Sequence, residues 1–289
     1  LRAELEQLGH HFTSDHADTE VLVHGWKAWG HDLFVRLDGM FALAIYDRNK
    51  STVTLVRDRF GEKPLYYATR PDVFVFGSEL TALLQHPSLS DASPSKIALQ
   101  KFFAHGFFPA PHTPYEGVSK LLPGHCLTID AKTLSIQVKQ YWRFSLGNSE
   151  HPAGTEDDWA SELNGLVGDA VTSRLEADVP LGLFLSGGVD SSAVLSCAAD
   201  VQTPSSLNTF SIGFRETSFD ETPWAEEMAL RVGSTHHVEI CDLDAAQAEL
   251  PELLSRLDEP QGDPSILPTH LLCRFARKHV TVARSEEHT

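Results

Sequence analysis

An apolar run, Pro180-Leu181-Gly182-Leu183-Phe184-Leu185, leads directly into Ser186-Gly187-Gly188-Val189-Asp190-Ser191-Ser192, and no other stretch limits the fold as tightly. The run has the length and composition of a short buried strand. The residues after the glycines, Ser191 to Ala199, read as a helix. A glycine turn between strand and helix brings bare backbone N–H groups close to a ligand. The first helical turn adds unpaired donors and partial positive charge, so the junction favours phosphate.

Other strand-to-helix junctions are excluded. A Walker loop ends in Gly-Lys-Ser/Thr, and this stretch has no lysine; a dinucleotide turn needs G-x-G-x-x-G, also absent. A nucleophile elbow needs glycine two residues before the serine, where this chain has Phe184. What remains is S-G-G-x-D-S, which resembles the loop of the PP-loop ATP pyrophosphatases. That resemblance implies cleavage of ATP between its α and β phosphates, giving AMP and pyrophosphate. Asp190 beside phosphates requires a divalent cation between them, and Mg²⁺ prefers carboxylate plus phosphate oxygens. Asp190 also suits a helix cap, and the two readings are compatible.

At 289 residues the chain is long enough for two domains, each with its own core. A net charge of −17 argues against a nucleic-acid partner, because phosphate backbones select basic surfaces. Cys126, Cys197, Cys241 and Cys273 form no C-x-x-C pair and read as reduced thiols of a cytoplasmic protein. The pairs His10-His11 and His236-His237 lack zinc-site spacing. No apolar run approaches a membrane span.

Helices are predicted over 1–8, 18–29, 78–85 and 95–105. Strand pairs are predicted at 41–46 with 52–56, 65–67 with 73–76, and 125–129 with 134–141. Residues 1–145 form one domain, and the polar stretch 146–155 is the linker. Over 156–283 strands and helices alternate: helix 156–176, strand 181–185, helix 191–199, strand 208–213, helix 221–232, strand 235–240, helices 244–257 and 265–278, and the apolar 279–283. Such alternation predicts a parallel doubly wound sheet whose ligands lie at the carboxyl ends of its strands, where Ser186 falls.

Further motifs cover nearly the whole chain. Leu37-Asp38-Gly39-Met40-Phe41-Ala42, Arg57-Asp58-Arg59-Phe60-Gly61-Glu62-Lys63-Pro64-Leu65-Tyr66-Tyr67, Gly77-Ser78-Glu79, Lys120-Leu121-Leu122-Pro123-Gly124-His125 and Tyr141-Trp142 occur in order. With them the front part resembles the glutaminase domain of glutamine-hydrolysing asparagine synthetases. Phe210-Ser211-Ile212-Gly213-Phe214, Phe219-Asp220-Glu221 and Asp258-Glu259-Pro260-Gln261-Gly262-Asp263-Pro264-Ser265 extend the resemblance to their synthetase domain.

The resemblance implies α+β glutaminase layers of the N-terminal nucleophile type, followed by an α/β PP-loop domain. It implies that ammonia from glutamine reaches aspartate activated as β-aspartyl-AMP, giving asparagine. Substrates are then glutamine, aspartate and ATP with Mg²⁺, in a protein that forms a homodimer. By the same resemblance Leu185, Ser186, Gly187, Gly188, Asp190, Ser191, Ser192 and Ile212 bind ATP, and Asp190 holds Mg²⁺. Leu185 and Ile212 read equally well as core aliphatics. Asp18 matches the acid that binds the ammonium of glutamine, although a helix cap explains it as well and Ala17 departs from the usual serine. Met40 matches a position near the ammonia tunnel, or is core. Glu259 to Ser265 matches a ligand-side run, or is a loop capped by Asp263.

The family's N-terminal cysteine and its Arg-Gly-Pro-Asp and Asn-Gly-Glu segments do not occur, and after Ala283 no second phosphate turn follows. The expectation is therefore an internal fragment without glutaminase activity and with weak ATP binding. Residues 284–289 (Arg284-Ser285-Glu286-Glu287-His288-Thr289) resemble a translated sequencing adapter and are expected to be a non-native tail. Two alternatives stay open. One is a relative with another acceptor, of the β-lactam-forming or peptide-cyclising kind. The other is a non-catalytic remnant that uses its glutaminase-like sheet for docking.

Overall fold

A computed structural model of the chain describes residues 1–146, 154–215 and 220–285. It divides into two compact units, Leu1–Gly147 and Asn148–Thr289. Most of the expected linker, and Phe219 and Glu286 to Thr289, lie outside the described residues.

The first unit begins with helices α1 (Arg2–Gln7), α2 (Asp18–Trp29) and α3 (Leu33–Arg36). Strands β1 (Ala42–Asp47) and β2 (Thr52–Arg57) form a hairpin, whose turn is held by Asp47 Oδ1 accepting from the amides of Asn49 and Lys50 at 3.0 and 3.1 Å. The chain then makes β3 (Tyr66–Arg70), β4 (Val73–Gly77), α4 (Leu80–Leu84), α5 (Lys96–His105), β5 (Val118–Lys120), β6 (His125–Asp130) and β7 (Ile136–Gln140). One antiparallel sheet has the order β1-β2-β6-β7 and a second the order β4-β3-β5.

Alternation along the strands stacks these pieces. Val56 packs with Leu33 and Phe34 on the helix side of the first sheet. Leu55, one residue earlier, faces the other way and packs with Leu127, Leu65, Tyr67 and Phe74. Tyr66 and Ala68 turn to the far side of the second sheet, against Leu80 and Leu83 of α4. The unit is thus layered helix, sheet, sheet, helix, and each layer follows from the period-two pattern of its strands. The expected hairpins are present. The four-residue α3 and three-residue β5 were not anticipated, being too short to carry a period.

Asp58 ties the layers together. It is 1% exposed, and its carboxylate accepts from five backbone amides, those of Phe41, Phe60, Gly61, Glu62 and Lys63, at 2.7 to 3.3 Å. Next to it the Arg57 guanidinium donates to the carbonyls of Gly61, Lys63 and Leu121 at 2.6, 2.9 and 2.8 Å. The Tyr141 hydroxyl donates to the Arg57 carbonyl at 2.7 Å; burial pushes its pKa up. Much of the long Arg57-to-Tyr67 motif is therefore a backbone clamp. Asp58→Ala removes the buried acceptor of five backbone amides and should lower the unfolding free energy by about 3 kcal/mol in a urea titration.

Glu20 orders the entry to α2. Its carboxylate accepts from the Thr13 amide and hydroxyl at 2.7 and 2.9 Å, from the Ser14 amide at 2.8 Å, and from the Ser14 hydroxyl. The Ser14 hydroxyl bond, then the Thr13 amide bond, lower its pKa from 4.5 to about 2. A depressed carboxylate contributes stability that is present above the unfolded pKa and lost as pH falls through the folded one. The stability difference between the unaltered chain and Glu20→Gln should therefore shrink between pH 5 and pH 2, as read by thermal melts across that range.

The second unit starts with α6 (Glu156–Arg174), whose N-terminus has a reciprocal cap. Thr155 Oγ1 accepts from the Asp158 amide at 3.3 Å, and Asp158 accepts from the Thr155 amide at 2.8 Å. There follow β8 (Leu181–Phe184), α7 (Val189–Val201), β9 (Asn208–Phe214), α8 (Thr222–Val232), β10 (Thr235–Cys241), α9 (Leu243–Arg256), α10 (Ile266–Ala276) and β11 (Val282–Arg284). The sheet order is β10-β9-β8-β11 and every pairing is parallel.

Helices cover both faces. Leu183, Leu185 and Leu207 pack with Val171, Leu195 and Ala225 of α6, α7 and α8. Phe210 packs instead on Phe275 and Ala276 of α10, and Ile212 on Ala246 and Leu271 of α9 and α10. The chain runs from β8 to β9 and β10 on one side, then returns to add β11 on the other. β8 is thus where the strand order reverses, and crevices for ligands form at such points.

Of the apolar stretch 279–283 only the end is strand. His279 and Val280 still close α10, their amides donating to the Ala276 carbonyl at 2.9 Å, and pairing begins only at Val282 opposite Leu181. Arg284 completes the strand and donates to the Arg174 carbonyl at 3.0 Å. No described helix is long and apolar enough to cross a membrane.

Candidate functional site

β8 delivers the chain to the carboxyl edge of the parallel sheet, and α7 leaves from that edge. Between them Gly187 adopts φ +80°. A Cβ there would lie 2.5 Å from the Trp224 carbonyl carbon and 2.6 Å from the Ala225 nitrogen. These are backbone atoms of α8 and cannot swing aside, so only glycine fits. The turn rests directly on the start of α8.

Two serines shape the interior of the loop. Ser186 Oγ accepts from the Gly188 amide at 3.2 Å and lies 3.0 Å from Ser191 Oγ. The Ser186 amide donates to Ser191 Oγ at 3.3 Å. Ser191, 2% exposed, is an internal brace.

The helix start is open. Gly188 is the N-cap of α7 and offers no side chain, and the first intrahelical amide bond there is Ser192 to Gly188 at 3.1 Å. The amides of Val189, Asp190 and Ser191 have no intrahelical acceptor, and the helix dipole adds partial positive charge. Bare donors, positive potential and a fixed glycine turn together suit an anion.

Asp190 is exposed in the first turn and makes no capping bond. Among the described residues no group of three or more His, Cys, Asp or Glu could enclose a metal ion. A single exposed carboxylate nevertheless fits Mg²⁺, which commonly takes one or two carboxylates and completes its shell with substrate phosphates and water. Ser192 is half-buried beside it.

Leu185 and Ile212 are not brought together by their side chains. Leu185 belongs to the core under α6, α7 and α8, and Ile212 to the opposite face. Only their backbones share the carboxyl edge. Asp18 and Met40 belong to the first unit. Asp18 is exposed and is the first residue of α2, with Ala17 as N-cap and no side-chain capping bond, so the cap reading does not hold. Met40 is half-buried just before β1. Asp263 accepts from the Ser265 amide at 2.8 Å, which lowers its pKa, but Ser265 is the N-cap of α10.

Sequence reasoning missed the supports of the loop. Asp220 Oδ1 accepts from the Thr222 amide and hydroxyl at 3.2 and 2.8 Å, fixing the start of α8. Gly213 at the end of β9 leaves room for them, since a Cβ there would lie 2.9 Å from Thr222 Cγ2 and 3.0 Å from Asp220 Oδ1. A glycine late in an apolar strand was the available signal. Gly187→Ala should destabilise the second unit by about 2 kcal/mol or more, from φ strain plus backbone overlap. Chemical denaturation followed by the fluorescence of Trp224, Trp159 and the other tryptophans checks it.

Comparison with known proteins places both halves. Residues 1–142 match the family model of the glutamine amidotransferase domain, and residues 162–287 match that of asparagine synthase. The chain is 36% identical over 288 residues to asparagine synthetase [glutamine-hydrolyzing] 1 of Bacillus subtilis, covering 99% of this chain and 44% of that protein. It is 34% identical over 304 residues to asparagine synthetase [glutamine-hydrolyzing] 3 of the same organism, covering 99% and 48%. The chain therefore spans about half the length of the curated relatives it matches. Among solved structures, the glutamine phosphoribosylpyrophosphate amidotransferase of B. subtilis superposes with a TM-score of 0.34 at 16% identity, over 83% of this chain and 58% of that one, too loosely to argue from.

Proposed function

The chain belongs to the glutamine-hydrolysing asparagine synthetase family, and on that footing we propose that its second unit grips ATP for amide synthesis. In the reaction we assign to the whole protein, ammonia derived from glutamine is joined to the β-carboxylate of aspartate through β-aspartyl-AMP. The products are asparagine, AMP and pyrophosphate. The first unit is read as part of the glutaminase layers, with Asp18 facing the ammonium of glutamine.

The observation that carries this reading is the uncapped start of α7 behind a turn that only glycine can make, at the strand where the sheet order reverses. Each part has a task in it. The open amides of Val189, Asp190 and Ser191 bind the pyrophosphate portion of ATP. Gly187 makes the left-handed turn that presents them, packed without a side chain against the start of α8. Asp190 would hold Mg²⁺ together with the phosphates, and the bound ion would supply the charge neutralisation that lets a carboxylate sit beside them. The backbone at Leu185 and Ile212 borders the adenosine portion.

A ³¹P NMR titration of the chain with ATP, with and without Mg²⁺, tests the reading. Broadening of the β- and γ-phosphate signals on adding the chain supports it, and spectra identical to free Mg-ATP up to millimolar chain would sink it. Asp190→Asn should weaken Mg-ATP binding about tenfold, as expected for loss of one charge-assisted contact. Its melting temperature should be unchanged, because Asp190 is exposed.

A further inference from the structure

The Leu185 carbonyl marks the place where pairing between β8 and β9 stops. The Leu185 amide donates to the Phe210 carbonyl at 3.0 Å, the last backbone bond between these segments among the described residues. One residue later the chain turns away into Ser186 and Gly187. The Leu185 carbonyl is left inside a residue only 2% exposed, where an unmet acceptor is costly. Its donor is the hydroxyl of Ser211, itself buried in β9. The backbone of Ser211 is already committed to the sheet, opposite Val238 of β10. Thr209, two residues earlier on the same strand face, turns its hydroxyl to His236 Nδ1 of β10 at 2.9 Å instead.

The Leu185 carbonyl and the Ser186 amide are two ends of one rigid peptide plane. Ser211 holds the carbonyl end, and Ser191 Oγ accepts from the amide end at 3.3 Å. Rotating that plane would break both bonds and redirect the glycine turn that follows. We propose that Ser211, outside the S-G-G-x-D-S motif, is a positioning residue for phosphate: it clamps the Leu185–Ser186 peptide from which the loop departs. The proposal rests on the ATP reading above and assigns Ser211 no contact with the nucleotide.

The isosteric pair Ser211→Thr and Ser211→Val tests it in the full chain, since only threonine keeps the hydroxyl. Affinities for ATP, inorganic pyrophosphate and AMP are read by ³¹P NMR, beside thermal melts. S211V should weaken ATP and pyrophosphate about tenfold, the scale of one unmade buried hydrogen bond, and leave AMP unchanged. S211T should bind all three within about twofold of the unaltered chain. Equal pyrophosphate affinity in the two variants overturns the proposal, as does proportional loss of pyrophosphate and AMP together, which marks a general packing defect. If S211V does not melt cooperatively, S211A takes its place in the same comparison. Should the unaltered chain bind neither ATP nor pyrophosphate, the ATP reading falls and this proposal with it; failure confined to the variants removes Ser211 alone.

Discussion

The approach of Gly187 to the Trp224–Ala225 peptide is the constraint on which the rest of the site depends. It sets the path of the turn, and the turn sets where α7 begins and which amides are left open. The obstacle to a larger residue is two main-chain atoms together with Trp224 Cβ. Changing the side chain at Trp224 or Ala225 leaves the main-chain overlap in place. The α8 start is itself held by Asp220 and Thr222 against Gly213. The candidate site is therefore built from backbone braced by backbone, with small polar groups as stays.

The two units use their longest motifs differently. In the second, the motif residues line the candidate site. In the first, Arg57 and Asp58 bind the chain to itself through the amides and carbonyls of neighbouring segments. A buried carboxylate surrounded by amides is an efficient way to end a strand and redirect the chain, since it meets many donors at once. Length and charge in a motif thus do not separate a chemical role from an architectural one. The partners do.

Much of this was legible in the amino-acid order. Apolar runs across turn residues marked β2 and β6, helical spacing marked α2, the alternation of strand and helix segments marked α8, and Gly187-Gly188 after an apolar run marked the turn. What escaped was either short or distant. α3 and β5 are below the length at which a period can be read. His279 and Val280 are apolar enough for a strand, but local bonds to Ala276 keep them with α10. Asp18, Asp190 and Asp263 all have capping chemistry by residue type, yet none is the N-cap of its helix. The partner of Gly187 lies in another helix, and Ser211 is a serine in a strand like any other until the Leu185 carbonyl is seen beside it.

The parallel pairing of β11 with β8 has a consequence for how the second unit is made. Val282 lies opposite Leu181, so the two strands are 282 − 181 = 101 residues apart in the chain. At roughly 5 to 20 residues per second of synthesis, β8 waits on the order of 5 to 20 s on the ribosome before its second neighbour exists. Throughout that interval one edge of the strand that carries the loop is bare, and its Gly182 and Phe184 amides and carbonyls, which face β11, are open to other chains. The strand that leads into the loop thus gains its second neighbour only after β9, β10 and the helices between them have been made.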